Sequence, residues 1–462
     1  MASSDHTEGG NPIQRLLSRL LSPITEVRPH EAFTALLMML NIFLIMAAYY
    51  IIKPAREAYM SLESGGAELA SYASAAMAVL LLPILRGYDR VSEKYARRRL
   101  ITIVTLVFIS NLAIFYYLSL VEMNHLGIVF FVWVGIFNYM VVAQFWGFAN
   151  DVYHEAQGER LFPLIMIGQT TGAILGPRVA SWSIEWTGDT SFMLLVAGAL
   201  LGLSIAITLW VDFRARSEAA LSLRRSQPDD QAALAAEEKK AEKPLKATAG
   251  FRLIWEHRYL LLMACLILLL NLVNTTGEYI LRSVVYAEAE AANQARDVFA
   301  GLFYSDFFFW VNVVASLIQV FLVSRIFKYL GVRKSVYILP IISLIAYGSI
   351  ALVPVLTVIM VVKIAENGTD YSLMNTLRAA LYLPTTREMK YKAKMAIDTF
   401  FVRAGDVISA GFVALGSEVL NFGPQGFSVV VFCVVLVWLW LVRLLTREHR
   451  RISGDDGADQ VT

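Results

Sequence analysis

The sequence predicts an all-α polytopic membrane protein of the major facilitator type, with about 12 transmembrane helices in two six-helix halves. Hydrophobic residues make up 57% of the 462 residues and charged residues 17%, whereas about 25% of a soluble domain is charged. A spanning helix needs roughly 17–25 apolar residues. Twelve runs reach that length: 32–52, 67–86, 99–120, 127–149, 161–181, 191–211, 257–280, 298–324, 335–353, 355–383, 396–417 and 426–445.

The distribution of charge predicts the orientation of these spans. Basic residues are concentrated after the second, eighth, tenth and twelfth spans: Arg86, Arg90, Lys94, Arg97, Arg98, Arg99, Arg325, Lys328, Arg333, Lys334, Arg387, Lys390, Arg443, Arg447, Arg450 and Arg451. Several alternate loops carry acidic residues instead. By the positive-inside rule the basic loops are cytoplasmic, and an even number of spans then places both termini inside. Residues 1–31 lack the apolar region of a signal peptide, so the first span is expected to direct insertion.

A polar, charged segment divides the chain into two halves. The predicted domains are a cytoplasmic tail (1–31), an N-terminal six-helix bundle (32–211), a cytoplasmic linker (212–256), a C-terminal six-helix bundle (257–446) and a second cytoplasmic tail (447–462). Arg90-Val91 and Arg98-Arg99 align with Arg325-Ile326 and Arg333-Lys334 at a constant offset. This doubled layout, with its basic loop at 87–99, resembles the major facilitator superfamily, in which the site lies between two parallel repeats.

One helix of the second half carries an intramembrane polar stripe. Lys363, Glu366, Asn367 and Asp370 lie inside the apolar stretch 351–383. Their spacing of i, i+3, i+4 and i+7 places them on one helical face. A charge at mid-bilayer costs roughly 2.5–3.5 kcal/mol on insertion scales, so this face must point into protein or a water-filled cavity. The stripe is therefore predicted to lie on the path of a polar solute or ion.

The end of the first span carries two cations and an acid beside a proline. Lys53 and Arg56 are at i and i+3, and Glu57 can pair with either of them. Pro54 removes a backbone donor and is expected to kink the helix. These residues predict a docking point for an anion. The alternative is snorkelling at the membrane interface with local salt bridges.

The seventh and eighth spans carry further polar groups. The stripe in the seventh consists of Asn271, Asn274, Thr275, Thr276, Glu278 and Arg282, the last two spaced for an ion pair. One interpretation of the stripe is a functional site, because an acidic side chain inside the membrane is by default a functional hypothesis. The other is a structural cluster of hydrogen bonds between helices, each of which stabilises helix association by roughly 0.6–2 kcal/mol. Asp306 precedes the aromatic run 307–310, which suits either a stacking wall or ordinary packing.

The eleventh span begins with Lys392, Lys394 and Asp398, which also fit a positive-inside flank. Arg403 and Asp406 follow, spaced for an intrahelical ion pair. The fourth and fifth spans carry a matching polar set and a small-residue stripe that allows close helix approach: Asn138, Gln144, Asn150, Asp151, Arg160, Gln169, Gly168, Gly172 and Gly176.

Signatures of other functions are absent from the sequence. It contains no phosphate-binding Gly-x-x-x-x-Gly-Lys-Ser/Thr loop. Its six histidines do not cluster in metal-ligand spacing, and no nucleophile elbow is present. We therefore expect no enzymatic activity, no cofactor, no metal and no nucleic-acid partner; the partners are a small anionic solute and the lipid bilayer.

Four segments resemble the nucleotide (ATP/ADP) antiporter family of plastids and intracellular bacteria. The first is Lys53-Pro54-Ala55-Arg56-Glu57-Ala58, similar to that family's Lys-Pro-x-Arg-Asp/Glu motif. The others are 145–150 with Glu155, Arg160 and Pro163, the run 271–273, and the run 392–398. They occur in the family's order over both halves. At two positions where the family has glutamate this chain has another residue, namely Asn274 and Val134.

The resemblance implies exchange of ATP for ADP in a bacterial inner membrane, with Lys53 and Lys392 or Lys394 engaging phosphates. We expect a carrier that works by alternating access. The expected substrate-binding residues are Lys53, Arg56, Asn274, Glu278, Arg282, Lys363, Glu366, Asn367, Asp370, Lys392 and Lys394. Of these, Lys53, Arg56, Arg282 and Lys363 would pair with the charges of the solute, and Glu278, Glu366 and Asp370 would also balance the empty site or carry a proton. The expected groups for charge balance or coupling are Glu57, Asp306, Asp398, Arg403 and Asp406. Two alternatives stay open: a proton-coupled carrier of another organic anion, and a scaffold or receptor whose partner binds the linker.

Overall fold

A computed structural model describes residue 16 and residues 25–92, 97–223, 248–386 and 388–453. Within these ranges the secondary structure is helical. We number the helices α1 Pro29–Ser61, α2 Gly66–Ser92, α3 Arg97–Leu120, α4 Leu126–Val152, α5 Glu155–Thr187, α6 Phe192–Leu223, the short α7 Thr248–Glu256, α8 Arg258–Ala291, α9 Arg296–Ser335, α10 Ile338–Leu352, α11 356–381, α12 389–419 and α13 Pro424–Ile452.

The predicted fold class is confirmed, because the chain is an all-α polytopic membrane protein. Nine helices among the described residues are long and apolar enough to cross a bilayer: α1, α2, α3, α4, α6, α8, α9, α12 and α13. The other three predicted spans coincide with α5, α10 and α11. The linker predicted at 212–256 includes 224–247, which lie outside the described residues. The scaffold alternative, which depends on that linker, therefore stays a hypothesis.

Contacts between residues divide the chain into two compact units. The first unit comprises Met1–Ala55, Leu85–Asn124 and Trp133–Lys243. The second comprises Arg56–Ile84, His125–Val132 and Pro244–Thr462. The last turns of α1, most of α2 and the first turns of α4 thus pack with the C-terminal helices. The predicted division into two six-helix halves stays a prediction.

In the first unit, three glycines bring α5 against the backbone of α1. A Cβ atom on Gly168, Gly172 or Gly176 would collide with a carbonyl oxygen of α1. The spacing of four residues places the three glycines on one side of α5, which produces the close approach predicted from the small-residue stripe. On α1, Asn41 is fully buried and donates to the Thr208 hydroxyl of α6 at 2.8 Å.

In the second unit, α8 is the central helix. It packs against α12 and α13, and α10 packs on α13 while α9 packs on α11. Three of these helices contain π-helical turns, at 318–322 in α9, at 370–374 in α11, and at 389–393, 397–401 and 415–419 in α12. Such turns shift the face that follows them and are frequent at functional sites. The turn in α11 begins at Asp370, the last residue of the predicted polar stripe.

We expect Gly172→Ala to lower the thermal stability of the protein in detergent. The new methyl group would meet the Phe43 carbonyl oxygen, and overpacking of this kind costs about 1–3 kcal/mol. The matched control is Gly198→Ala in α6, where a Cβ atom would meet nothing within 4 Å. Thermal unfolding of the two variants tests the prediction, and equal midpoints would contradict the helix contact.

Candidate functional site

Two arginines of the second unit meet at the carboxylate of Glu57, and a second carboxylate pairs with one of them; we call Arg56, Glu57, Glu278 and Arg282 the Glu57 cluster. Glu57 is 0% exposed and Arg282 is 3% exposed. Arg282 donates from Nε to Glu57 Oε2 at 2.7 Å and from Nη2 to Oε1 at 3.3 Å. Arg56 donates from Nε to the same Oε1 at 3.0 Å. The cluster therefore links α1 to α8 through a buried ion pair.

The remaining contacts of the cluster neutralise and support its charges. Arg282 Nη2 also donates to Glu278 Oε2 at 3.1 Å, one helical turn away, which confirms the ion pair predicted in the seventh span. Both guanidinium groups lie over the ring of Phe131 in α4, at 4.4 Å for Arg56 and 5.6 Å for Arg282. The Tyr286 hydroxyl donates to the Glu57 carbonyl oxygen at 3.1 Å. Two positive and two negative groups make the cluster neutral.

Two buried donors of the second unit, one of them in this cluster, have no hydrogen-bond partner among the described residues. One is Nη1 of Arg282 and the other is the hydroxyl of Tyr304 in α9, which is 3% exposed. Tyr304 interacts electrostatically with Glu57, Glu278 and Arg282. Unsatisfied buried donors are rare in folded proteins, so each calls for an explanation.

A second buried pair joins α11 to α10 and α8. Lys363 is 0% exposed, and its Nζ lies 2.5 Å from Glu366 Oε2. Ser343 of α10 donates to Glu366 Oε1 at 2.7 Å, and the Tyr347 hydroxyl lies 3.3 Å from Oε2. Asn274 Oδ1 is 3.5 Å from Lys363 Nζ. These groups satisfy the Glu366 carboxylate inside protein, as the polar stripe predicted.

The rest of the predicted stripe does not share these partners. Asn367 is 2% exposed, and its Oδ1 has no hydrogen-bond partner among the described residues. Asp370 pairs instead with Arg378 of the same helix, at 3.4 Å. The π-helical turn at 370–374 lies between the two. The four residues therefore form two electrostatic groups, where the spacing had indicated one.

A third group surrounds Asp406 of α12. Arg403 donates to Asp406 Oδ2 at 2.9 Å, which confirms the predicted intrahelical pair. Asn271 and Thr275 of α8 donate to Asp406 Oδ1 at 2.6 and 3.0 Å. The polar stripe of the seventh span is thus an interhelical hydrogen-bond cluster along this part of α8, the structural alternative considered for it. Its other end belongs to the Glu57 cluster.

Several predicted site residues lie apart from these groups. Lys392 donates to Glu388 at 2.7 Å, and this hydrogen bond lowers the pKa of the exposed Glu388 carboxyl. Lys394 is exposed and lies 5.8 Å from the Tyr382 ring, and Asp398 is also exposed. Asp306 is half-buried. The structure thus does not bring Lys392 or Lys394 into contact with the buried clusters.

The first unit holds Lys53 and a separate polar group. Lys53 is 7% exposed, and its Nζ lies 5.5 Å from the centre of the Tyr50 ring. Gln144 is 6% exposed and lines a cavity of about 20 Å³ with Thr105 and Thr208. That volume suits one water molecule. Arg160, which the sequence grouped with Gln144, pairs with Glu31 at 3.1 Å.

Sequence reasoning missed the uncharged partners of these clusters. Phe131, Tyr304, Ser343 and Tyr347 lie in apolar spans whose pattern assigned them to packing. Arg378 carried a usable signal, because it is a charge inside a predicted span. Among the described residues, no group of three His, Cys, Asp or Glu side chains could hold a metal ion.

Two family models match the chain. The Major Facilitator Superfamily model matches residues 38–387, and the TLC ATP/ADP transporter model matches residues 343–449. The solved structure of the nucleoside transporter NupG is similar in fold, with a TM-score of 0.60 and 14% identity over 91% of this chain and 98% of that one.

Two curated relatives carry nucleotide-carrier names. ADP,ATP carrier protein 1 of Chlamydia muridarum is 21% identical over 341 residues, covering 65% of this chain and 60% of the relative. The plastidic ATP/ADP-transporter of Solanum tuberosum is 22% identical over 375 residues, covering 72% of this chain and 55% of the relative. The aligned part thus spans little more than half of each relative's length. These matches confirm that the chain is similar to the ATP/ADP antiporter family, as its motifs indicated.

We expect Lys363→Met to destabilise the protein and the double variant Lys363→Met with Glu366→Gln to recover part of the loss. The single variant leaves a buried carboxylate without its cation, and breaking a buried pair in this way costs about 3–5 kcal/mol. The double variant buries no unpaired charge. Thermal unfolding of both single variants and the double variant measures the coupling, and simple additivity would contradict the pair.

Proposed function

The chain belongs to the Major Facilitator Superfamily, and we propose that it exchanges a nucleotide-like anion across the membrane, ATP against ADP in the simplest case. Support comes from the relatives named ATP/ADP carriers. One structural observation carries the proposal. Inside its apolar helices the chain holds Arg56 and Arg282, two cations already matched to the Glu57 carboxylate. These are groups that bind phosphate oxygens when a carboxylate gives way.

Support for exchange over one-way transport comes from the relatives named ATP/ADP carriers. It does not come from the buried cations, because these are paired with carboxylates in the structure and so leave no unpaired charge in the empty site. In alternating access the two halves of the carrier move around the binding site. The coupling follows because substrate changes the free energy of the conformations unequally.

We also propose a bacterial inner membrane and cytoplasmic termini. The orientation is supported by the concentration of basic residues between α2 and α3 and after α13, because such residues favour the cytoplasmic side. A fluorescent protein that matures only in the cytoplasm, fused after Thr462, tests the orientation. A dark but fully inserted fusion would contradict it.

The first test of the function is counterflow in proteoliposomes. Vesicles are loaded with ADP, and labelled ATP is added outside. We expect uptake to require internal ADP, and Lys53→Ala to raise the ATP concentration for half-maximal uptake about tenfold or more, because a charge-assisted bond contributes roughly 1.5–3 kcal/mol. The matched control is Lys328→Ala, which removes an exposed cation near the end of α9.

Each result of the counterflow experiment has a definite meaning. Uptake that is equal in empty and ADP-loaded vesicles would contradict exchange. Absence of uptake by a folded, monodisperse protein would contradict ATP and ADP as substrates. A loss in Lys328→Ala equal to that in Lys53→Ala would show an effect of total charge and not of a site.

Proton-coupled transport of another organic anion is the second candidate function. Glu366 is 3% exposed inside an apolar helix and pairs with Lys363, and an intramembrane acid of this kind is a candidate member of a proton relay. We expect a proton-coupled carrier to accumulate its substrate under an inward proton gradient, to lose accumulation when a protonophore is added, and to lose it in Glu366→Gln. A nucleotide exchanger keeps counterflow in the presence of the protonophore.

A further inference from the structure

We propose that the Glu57 cluster is an anion subsite for the phosphate chain of the substrate, in which the Glu57 carboxylate occupies the phosphate position until substrate displaces it. Tyr304 completes the donor set of this subsite. The proposal rests on the proposed function and adds to it the place where a phosphate group binds, the residue that competes for that place, and a ligand residue absent from the sequence-based set.

The geometry around Glu57 is that of a bound anion. Two guanidinium groups from different parts of the chain, Arg56 and Arg282, donate to one carboxylate that is 0% exposed. Arg282 uses two nitrogens on its two oxygens, at 2.7 and 3.3 Å. The planar guanidinium fork binds carboxylate and phosphate in the same bidentate manner. A phosphate oxygen can therefore accept hydrogen bonds from the same guanidinium nitrogens.

The cluster also has more donors than Glu57 can use. Arg282 Nη1 and the Tyr304 hydroxyl are buried without a hydrogen-bond partner among the described residues. A carboxylate presents two acceptor oxygens, whereas a terminal phosphate presents three. The additional phosphate oxygen matches the two unsatisfied donors.

Charge explains why Glu57 has to leave when phosphate binds. Arg56 and Arg282 balance Glu57 and Glu278, so a phosphate added to the intact cluster would make it strongly negative. Turning the Glu57 side chain away from the two arginines reduces this excess. The Phe131 ring lies against both guanidinium groups, and cation–π contact with it holds them in place during the exchange.

The test compares Tyr304→Phe with Tyr153→Phe in ADP counterflow. Both tyrosines are buried with hydroxyl groups that have no partner among the described residues, but Tyr153 belongs to the first unit. We expect Tyr304→Phe to raise the ADP concentration for half-maximal uptake about tenfold, the effect of one bond to a charged group. The control keeps the wild-type value. Equal values in the two variants would overturn the subsite.

The competing role of Glu57 has its own measurement. Glu57→Gln removes the internal anion, so we expect ADP to raise its thermal unfolding midpoint more than it raises that of wild type, because ligand binding stabilises the folded state by mass action. An equal or smaller shift would overturn displacement. If Glu57→Gln does not fold, Glu57→Asp tests the same competition. The shorter carboxylate side chain is expected to bind the two arginines more weakly. The ADP concentration for half-maximal uptake should therefore be lower than in wild type.

Failure of the proposed function is distinguishable from failure of the subsite. A wild-type protein that exchanges no nucleotide would contradict the function before any variant is made. The subsite is then tested with inorganic pyrophosphate, which carries the phosphate chain alone. A thermal shift by pyrophosphate that Tyr304→Phe loses and Tyr153→Phe keeps would support the subsite, and no shift in wild type would overturn it.

Discussion

The ion pair between Glu57 and Arg282 is the interaction on which the second unit depends. In a chain built for lipid, a charge survives in the interior only beside a charge of the opposite sign. Glu57 is 0% exposed and sits near the end of α1, while its partner belongs to α8. The pair therefore requires the last turns of α1 to pack with the C-terminal helices. This explains why the second unit includes Arg56–Ile84 from the N-terminal part of the chain.

The same requirement shapes the surroundings of Lys363. Its ammonium group is completely buried, so the neighbouring helices must supply both a carboxylate and the hydrogen bonds that satisfy it. Gly277 on α8 provides the space, because a Cβ atom there would collide with the Tyr347 hydroxyl and come too close to Lys363 Nζ. Glycine in a helix interior is normally about 1 kcal/mol less favourable than alanine. At Gly277 the missing side chain is what allows Tyr347 and Lys363 to pack against α8.

The sequence was sufficient to predict what depends on local spacing. Glu278–Arg282, Lys363–Glu366 and Arg403–Asp406 lie one helical turn apart, and each forms an ion pair because helical geometry alone brings its members together. Nine of the twelve predicted spans correspond to helices of the described residues that are long and apolar enough to cross a membrane. They were predictable for a related reason, since an apolar run of sufficient length has few alternatives to a membrane helix.

Partners on different helices could not be predicted in this way. Glu57 and Arg282 are 225 residues apart, and Asn271 and Asp406 are 135 apart. No periodicity within one helix identifies such pairs, because helix packing decides them. The motif resemblance pointed to Lys392 and Lys394, yet the structure pairs Lys392 with the exposed Glu388. A shared motif predicts residue types, whereas contacts also depend on the π-helical turns in α12.

The two buried cationic groups of the second unit differ in one physical respect that bears on their roles. The Glu366 carboxylate accepts from Lys363 and Ser343, one donor for each oxygen, so it has the balanced contacts of a structural connection. The Glu57 cluster is balanced in charge but not in hydrogen bonds, because it retains two buried donors without partners among the described residues. A hydrogen-bond network whose donors are all used gains nothing when its anion is replaced. A network with unused donors can exchange its anion for another that has more acceptor oxygens. By this argument the Glu57 cluster is suited to binding, and the Lys363 group to holding α8, α10 and α11 together while binding occurs.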